Sequence, residues 1–218
     1  MVVTGCYAQL KAEEIAEKEK VDYIFGSNEK LRILDIVPEF EKQTHPRIFT
    51  CPLKDIDIFS PAYSSGERTR SFLKVQDGCD YFCAYCTVPY ARGKSRSGDI
   101  DELCTQAGKL GSEGKREIVI TGINIGDFGK NTGNDFLDLL KALDNVETVD
   151  RFRISSIEPE LLNTEMIKFI LESKRVMPHF HIPLQSGCNK LLKNMKRRYD
   201  TEVFQTRLNT IRSLSKDA

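Results

Sequence analysis

The chain has 218 residues, of which 32 are basic and 32 are acidic, so its formal net charge is zero. This balance excludes a strong overall attraction to nucleic acid, and any RNA binding has to come from a local surface or from another part of the protein. No apolar run reaches the roughly 20 residues that span a bilayer, and no signal segment opens the chain, so we expect a cytoplasmic protein without membrane contact.

Residues 1–45 predict a strand, a helix, a second strand and a second helix. The strands are predicted at residues 1–4 and 21–25, and Ser27 is predicted to cap the second helix, which Pro38 ends or kinks. This is the pattern of a small doubly wound α/β domain. Because a strand at the first residue needs neighbours from elsewhere, we expect that sequence preceding this segment is missing.

Residues 46–69 lose this periodicity. The segment contains Pro46, Pro52 and Pro61, and it includes the sequence Ser-Ser-Gly at 64–66. Prolines and small polar residues at this density are typical of a linker. We therefore predict a domain boundary here, with one domain at residues 1–45 and a second at residues 70–218.

Strands and helices alternate through the second domain. The strands are predicted at residues 72–75, 118–121, 152–157 and 179–184, and a helix with an apolar face follows each of them. Repeated strand–helix units predict a parallel sheet, either doubly wound or curled toward a barrel.

Three cysteines follow the first of these strands in a C-x-x-x-C-x-x-C array: Cys79, Cys83 and Cys86. Three soft thiolates fit a [4Fe–4S] cluster whose fourth iron stays open for a substrate or cofactor. Two other interpretations compete, a zinc site completed by a histidine and a set of buried structural thiols. The nearest histidines in sequence, His45 and His179, are far from the array, which favours the cluster.

Polar and glycine residues follow the other predicted strands. In parallel barrels the reacting groups lie at the carboxyl ends of the strands. The residues at these ends are Gly122, Asn124, Ser155, Ser156, Glu158 and Gln185. Without further information each can also be an ordinary turn or loop residue, but four consecutive polar strand ends predict a binding site.

Several segments together resemble a known family. They are "FLKVQDGCDYFCAYCTVPYARGKSRS", "IVITGINIGDFG", "RISSIEP" and "HFHIPLQSG…MKRRY", in this order. The chain resembles the radical S-adenosylmethionine (SAM) methylthiotransferases over nearly its whole length, and most of all the branch that modifies threonylcarbamoyladenosine in tRNA. The resemblance implies a parallel partial (β/α) barrel of the radical SAM type, truncated at its carboxyl end and preceded by the end of the family's auxiliary-cluster domain.

The resemblance also implies roles for the candidate residues. The cysteine array would ligate a [4Fe–4S] cluster that binds SAM and, with an electron from an external donor, cleaves it. The SAM-binding residues would be Tyr85, Gly122, Asn124, Ser155, Ser156, Glu158 and Gln185. Cys6, in "VVTGCYAQ", matches the third ligand of the auxiliary cluster, whereas the two earlier ligands are absent. We therefore expect one cluster here and two in the intact enzyme.

Two basic groups lie near these motifs. Arg92 and Arg96 follow the cysteine array, where an arginine can clamp a carboxylate or an RNA phosphate or can lie in solvent. The densest basic cluster lies near the end of the chain and comprises Lys193, Lys196, Arg197 and Arg198. It can meet an RNA backbone, or it can be a solvated helix end.

The sequence thus predicts a radical SAM enzyme that methylthiolates threonylcarbamoyladenosine next to the tRNA anticodon. Within the family, the alternatives are action on isopentenyladenosine in tRNA or on an aspartate of a ribosomal protein. From a different class, the chain can be a non-enzymatic iron–sulfur or zinc-binding module. Cys51, Cys104 and Cys188 are interpreted as unpaired thiols, and at Cys188 the family commonly has serine.

Overall fold

A computed structural model describes residues 1–18, 20–64, 69–130 and 132–216. The first part is a parallel three-stranded sheet in the order β1 (Val2–Thr4), β2 (Tyr23–Phe25) and β3 (Arg47–Phe49). Strand β2 is central because its three residues are buried and need a partner on both edges. Ile24 packs on one side with Ala8, while the aromatic rings of β2 pack on the other side.

Strand β3 lies inside the segment predicted as a linker. It pairs with β2 over three residues, so the first sheet extends to Phe49. The far end of the predicted linker also pairs, because β4 (Ala62–Tyr63) runs antiparallel to β5 (Arg70–Lys74). Ser65 and Gly66 of the predicted Ser-Ser-Gly turn lie outside the described residues.

The helices of the first part are shorter than predicted. They are α1 (Cys6–Leu10), α2 (Ala12–Ala16) and α3 (Ile33–Ile36), the last preceded by a 3₁₀ turn. The prediction that Ser27 caps a helix was wrong, because its hydroxyl donates instead to the carbonyl of Ala91, 2.5 Å away in the second part. A long-range contact therefore replaces the local cap.

Two short strands, β6 (Gln76–Asp77) and β7 (Arg96–Ser97), form a small antiparallel pair. In the second sheet, β4 and β5 are followed by β8 (Glu117–Thr121) and β9 (Arg151–Ile154), in this order among the described residues. Strands β5, β8 and β9 are parallel to one another. Their carboxyl ends consequently lie at one edge of the sheet, as predicted.

Six helices lie in this part of the described chain. They are α4 (Val88–Arg92), α5 (Ile100–Ser112), α6 (Phe136–Leu143), α7 (Thr164–Glu172), α8 (Asn189–Asn194) and α9 (Thr201–Leu214). The longer ones begin at an Asp or Asn whose side chain accepts a backbone N–H, which stabilises the first turn. Their apolar faces form one core with the strands. None of the helices formed by the described residues is long and apolar enough to cross a membrane.

The fourth predicted strand, residues 179–184, does not form a regular ladder. The chain does run beside β9: Val176 makes a single parallel bridge to Phe152, and the Ile157 N–H donates to the His181 carbonyl at 3.1 Å. Pro178 precedes this segment and Pro183 lies within it, and proline has no N–H to donate. The segment is therefore extended but irregular.

Candidate active site

A cavity of about 280 Å³ opens at the carboxyl edge of the parallel strands, and we call it the thiol cavity. It brings together most of the predicted site residues. These are Cys79, Cys83, Tyr85, Cys86, Gly122, Asn124, Glu158 and Gln185. The prediction that motif residues from successive strand ends gather at one rim is confirmed for this set.

The cysteine loop, residues 78–87, forms one wall of the thiol cavity. It begins at Gly78, which has φ = 71°, and a Cβ there would lie 2.0 Å from the Lys94 carbonyl oxygen. Glycine is thus required for the loop to close against the chain that returns to β7. Cys83 is buried and Cys79 is half-buried. Burial raises the pKa of the Cys79 thiol.

Gln76 connects the cysteine loop to the end of β8. Its side chain is fully buried. The Oε1 atom accepts the backbone N–H groups of Ile123 and Asn124 at 3.0 and 2.8 Å. The Nε2 atom donates to the Gly78 carbonyl at 2.8 Å and to the Ser95 hydroxyl at 2.9 Å. One amide therefore holds two walls of the cavity in a fixed relation. Sequence reasoning assigned it no role.

Gly122 and Asn124 form the wall that follows β8. A Cβ on Gly122 would lie 2.8 Å from the Gln76 carbonyl oxygen, so the two strand ends meet only because this residue is glycine. Asn124 is 6% exposed, and neither its Oδ1 nor its Nδ2 has a hydrogen-bond partner among the described residues. Buried amides are normally paired, so this side chain is suited to a polar ligand in the cavity.

Arg197 lies in the thiol cavity, although its sequence position gave no such indication. Its Nη1 lies 3.3 Å from the Cys83 sulfur and 3.2 Å from the Tyr85 hydroxyl oxygen. Its Nη2 forms an ion pair with Glu158. The Arg197 side chain is 4% exposed, so its contacts with Cys83 and Glu158 are largely shielded from water, whereas Tyr85 is exposed. The guanidinium thus joins the cysteine loop to the segment after β9.

The four residues of the basic cluster predicted near the end of the chain therefore differ in their exposure and contacts. Lys193 and Lys196 are exposed, as a solvated or RNA-facing surface requires. Arg197 is buried in the cavity, and Arg198 stacks at 3.8 Å on the ring of Tyr81. For Arg197, the interpretation as a solvated helix end was wrong, whereas Arg198 is exposed. Charge density alone cannot single out Arg197, because burial is decided by distant contacts.

Gln185 adds an unusual backbone conformation to the rim. Its φ of 59° lies in the left-handed region, which residues other than glycine seldom adopt and which recurs at functional sites. Ser155 and Ser156 are half-buried at the same strand ends but do not line the thiol cavity. The Ser155 N–H donates to the Ile120 carbonyl at 3.1 Å. A role for the two serines in binding a cofactor stays a prediction.

Cys6 lies outside the thiol cavity. Its sulfur is 3.3 Å from Arg92 Nε, and Nη1 of the same arginine donates to Asp77 at 3.1 Å. Arg92 therefore clamps a carboxylate of its own chain, one of the options predicted for it. Arg96 donates to the backbone carbonyl of Ile58 at 2.8 Å. The role of Cys6 as an auxiliary-cluster ligand stays a prediction.

The donor set of the thiol cavity fits an iron–sulfur cluster with a polar cofactor beside it. Three thiols line one space, a buried arginine lies next to one of them, and an unpaired amide faces the same space. Among the described residues, no three Cys, His, Asp or Glu side chains converge as ligands of a single ion do. The thiolates of a [4Fe–4S] cluster bind different irons, so they need not converge in this way.

Comparison with solved structures identifies similar folds. The radical S-adenosylmethionine methyltransferase TsrM from Kitasatospora setae, solved with its tryptophan substrate and a SAM analogue, matches with a TM-score of 0.54 and 14% identity. The match covers 65% of this chain and 28% of that one. The cobalamin-dependent S-adenosylmethionine radical enzyme OxsB matches with a TM-score of 0.50 and 16% identity, over 66% of this chain and 22% of that one.

Curated relatives match at higher identity. Threonylcarbamoyladenosine tRNA methylthiotransferase MtaB of Bacillus subtilis is 38% identical, covering 96% of this chain and 48% of the relative. The protein of the same name from Aquifex aeolicus is 35% identical, covering 97% and 52%. A tRNA-2-methylthio-N(6)-dimethylallyladenosine synthase of Thermodesulfovibrio yellowstonii is 31% identical, covering 94% and 47%. The chain spans about half the length of these curated relatives.

A family model decides the classification. The model of the Radical SAM superfamily matches residues 73–217, which include the cysteine loop and every other wall of the thiol cavity. The predicted fold class, an α/β fold of the radical SAM type, agrees with this match and with the similar solved structures. The chain belongs to the radical SAM superfamily.

Proposed function

We propose that the chain is the radical SAM part of a tRNA methylthiotransferase that acts on threonylcarbamoyladenosine next to the anticodon. The lining of the thiol cavity carries this proposal, because three cysteine thiols share it with a buried arginine and with polar strand ends. The names of the relatives at 35–38% identity support the tRNA substrate. We place the reaction in the cytoplasm.

The residues of the thiol cavity would hold two cofactors. Cys79, Cys83 and Cys86 would ligate a [4Fe–4S] cluster. S-adenosylmethionine would contact the remaining polar walls, namely Tyr85, Gly122, Asn124, Glu158 and Gln185. When bound, this pair of cofactors supplies one-electron chemistry on a carbon–sulfur bond, with the electron coming from an external donor.

The chain's own residues orient the ligands and limit their access to water. Arg197 places a positive charge 3.3 Å from the Cys83 sulfur, where it can balance part of the negative charge of a metal-bound thiolate. The amide of Asn124 offers one donor group and one acceptor in a buried position, so it can fix the orientation of a polar ligand. The apolar side chains of Val88 and Ile123 line the same cavity and reduce its hydration.

The alternative substrate is dimethylallyladenosine in tRNA, because a relative at 31% identity is named for it. Analysis of tRNA nucleosides distinguishes the two. In cells that make the full-length protein with Cys83→Ala, we expect the methylthio derivative of threonylcarbamoyladenosine to disappear. Cys188→Ser is the matched control, because Cys188 is exposed and outside the cavity. Loss of the methylthio group from dimethylallyladenosine instead would transfer the proposal to that substrate.

Reconstitution tests the cluster separately from the substrate. Under anaerobic conditions, we expect the unmodified chain to bind about four irons in one cluster. Alanine at any of the three array cysteines should abolish reductive cleavage of SAM, whereas Cys188→Ser should not. One zinc per chain in place of iron would support the zinc-binding module. Unchanged formation of 5′-deoxyadenosine by Cys83→Ala would contradict the ligand assignment.

A further inference from the structure

A second cavity, of about 360 Å³, is lined in part by Cys79, Asp80 and Phe82 of the cysteine loop. Cys79 also lines the thiol cavity, so the two cavities are neighbours. Leu53, Phe82 and Pro89 supply apolar walls to the second cavity, which we call the aromatic cavity. The function proposed above makes no use of this space.

Two aromatic rings at the aromatic cavity are unusually open. Phe82, in its wall, is 48% exposed, and Tyr90 is 53% exposed. Their ring centroids are 5.4 Å apart with an interplanar angle of 73°. The two rings are therefore nearly perpendicular and each is about half exposed, an arrangement on which a planar base can stack.

The charge around the aromatic cavity is positive. Lys54 and Lys94 line it, and both are exposed. Asp80 also lines it, but this carboxylate is paired at 2.7 Å with Lys130 and accepts the Ser95 N–H at 3.2 Å. Lys130 also pairs with Asp127 at 3.6 Å, so it balances Asp80 only in part, but the two lysines that line the cavity still outnumber its one carboxylate. An open aromatic face beside two lysines suits a base with its phosphate better than it suits an uncharged apolar ligand.

We propose that the aromatic cavity binds an unpaired RNA nucleotide that neighbours the nucleotide entering the thiol cavity. The base would stack on Phe82 against the edge of Tyr90, and Lys54 and Lys94 would contact the backbone phosphates. This inference rests on the proposed function, which supplies the RNA. Proteins that recognise unpaired RNA hold splayed bases on aromatic rings in this way. Because both cavities share the cysteine loop, a stacked neighbour would fix the position of the target adenosine.

The test measures binding of an anticodon stem-loop RNA to the anaerobically reconstituted chain by fluorescence anisotropy. Phe82→Ala should weaken binding about 5- to 100-fold, and Phe82→Tyr should restore it, because stacking needs only a planar ring. Phe72→Ala is the matched control, since Phe72 is also 48% exposed but lies in β5. Its affinity should remain that of the unmodified chain.

The phosphate contacts have their own readout. Substituting both Lys54 and Lys94 by glutamine should reduce the slope of log affinity against log salt by roughly 1.4, the value for two single-strand phosphates. The control replaces two exposed lysines of the α7 region, Lys168 and Lys174, and should leave the slope unchanged. An unchanged slope in the first double variant would overturn the phosphate assignment.

A fluorescent base locates the stacked nucleotide. 2-Aminopurine placed beside the target adenosine should be quenched by the unmodified chain and by Phe82→Tyr, but not by Phe82→Ala. If RNA binds and Phe82→Ala matches the unmodified chain in affinity and quenching, this inference fails while the proposed function stands. If the unmodified chain binds no RNA, this inference fails, whereas the proposed function is decided by the tRNA nucleosides of cells that make the full-length protein. Circular dichroism of each variant establishes that a loss of binding does not reflect unfolding.

Discussion

Replacing Arg197 by methionine tests the most buried charge of the thiol cavity. The substitution keeps an unbranched apolar stem but removes the guanidinium, which leaves Glu158 without its cation. The two side chains are 4% and 18% exposed, so little water is available to replace the guanidinium. Breaking such a buried pair costs about 3–5 kcal/mol. We expect a loss near 3 kcal/mol, since Glu158 keeps part of its hydration.

A double-mutant cycle separates the ion pair from other effects. Urea unfolding is followed by circular dichroism, because the chain has no tryptophan to report by fluorescence. Glu158→Gln in the Arg197→Met background should restore part of the lost stability, since it removes the unpaired carboxylate. Arg198→Met is the control. It loses an exposed stacking contact on Tyr81, worth about 0.5–1 kcal/mol.

One result would refute this reasoning. If Arg197→Met costs less than about 1 kcal/mol and the cycle shows no coupling, the pair with Glu158 is not shielded from water, since exposed pairs contribute only about that much. The same variant should also bind less iron on reconstitution, because the Cys83 thiolate loses its adjacent positive charge. Normal iron content would limit Arg197 to a structural role.

Three further predictions concern stability and reactivity. Gly122→Ala should cost about 1–3 kcal/mol in thermal unfolding, because its Cβ would lie 2.8 Å from a carbonyl oxygen. Gly108→Ala in α5 should instead raise stability by about 0.5–1 kcal/mol, because a Cβ there meets only Val146 Cγ1, at 3.9 Å. Burial opposes ionisation of Asp77, but nearby cations outweigh it and lower the pKa of this carboxyl. The ionised Asp77 therefore stabilises the fold fully above its unfolded pKa of about 3.9, and this stabilisation is lost as the pH falls toward the folded pKa. In urea unfolding at a series of pH values, Asp77→Asn should not show this pH-dependent loss of stability. Burial raises the pKa of the Cys51 thiol to about 11, so mass spectrometry after alkylation at pH 8 should find it far less modified than exposed Cys188.

Each of these three has a contradicting outcome. Equal melting temperatures for the two glycine variants would mean that the strand ends are less closely packed than described. Parallel pH profiles for Asp77→Asn and the unmodified chain would place the carboxyl in solvent. Rapid alkylation of Cys51 at pH 8 would show that its thiol is accessible and ordinary.

The walls of the thiol cavity could be predicted because they follow from local patterns. Strands alternate with helices, parallel strands end at one edge, and Gly122, Asn124 and Glu158 each come directly after a strand or a few residues beyond it. The cysteine spacing is also local. These signals need no knowledge of distant contacts, so sequence alone is sufficient for them.

Arg197 and the irregular fourth segment could not be predicted in the same way. The contact of Arg197 with Cys83 joins residues 114 positions apart, and its own neighbours in sequence are equally basic. Residues 179–184 have the composition of a strand, but Pro178 before the segment and Pro183 within it limit the hydrogen bonds that a ladder needs. Strand β3 was missed because it has only three residues, directly after a proline, and so shows little periodicity. It forms nonetheless because β2 needs a hydrogen-bonding partner on that edge.

The hydrogen bonds of Gln76 also bear on how ligands reach the thiol cavity. Its amide uses both the oxygen and the nitrogen, so separating the cysteine loop from the end of β8 would leave buried polar groups unpaired, at about 1–3 kcal/mol each. Residues 184–188 on the opposite rim have no regular secondary structure, and most of them are exposed. We therefore expect ligands to enter and leave past Gln185, while the side held by Gln76 stays closed during exchange.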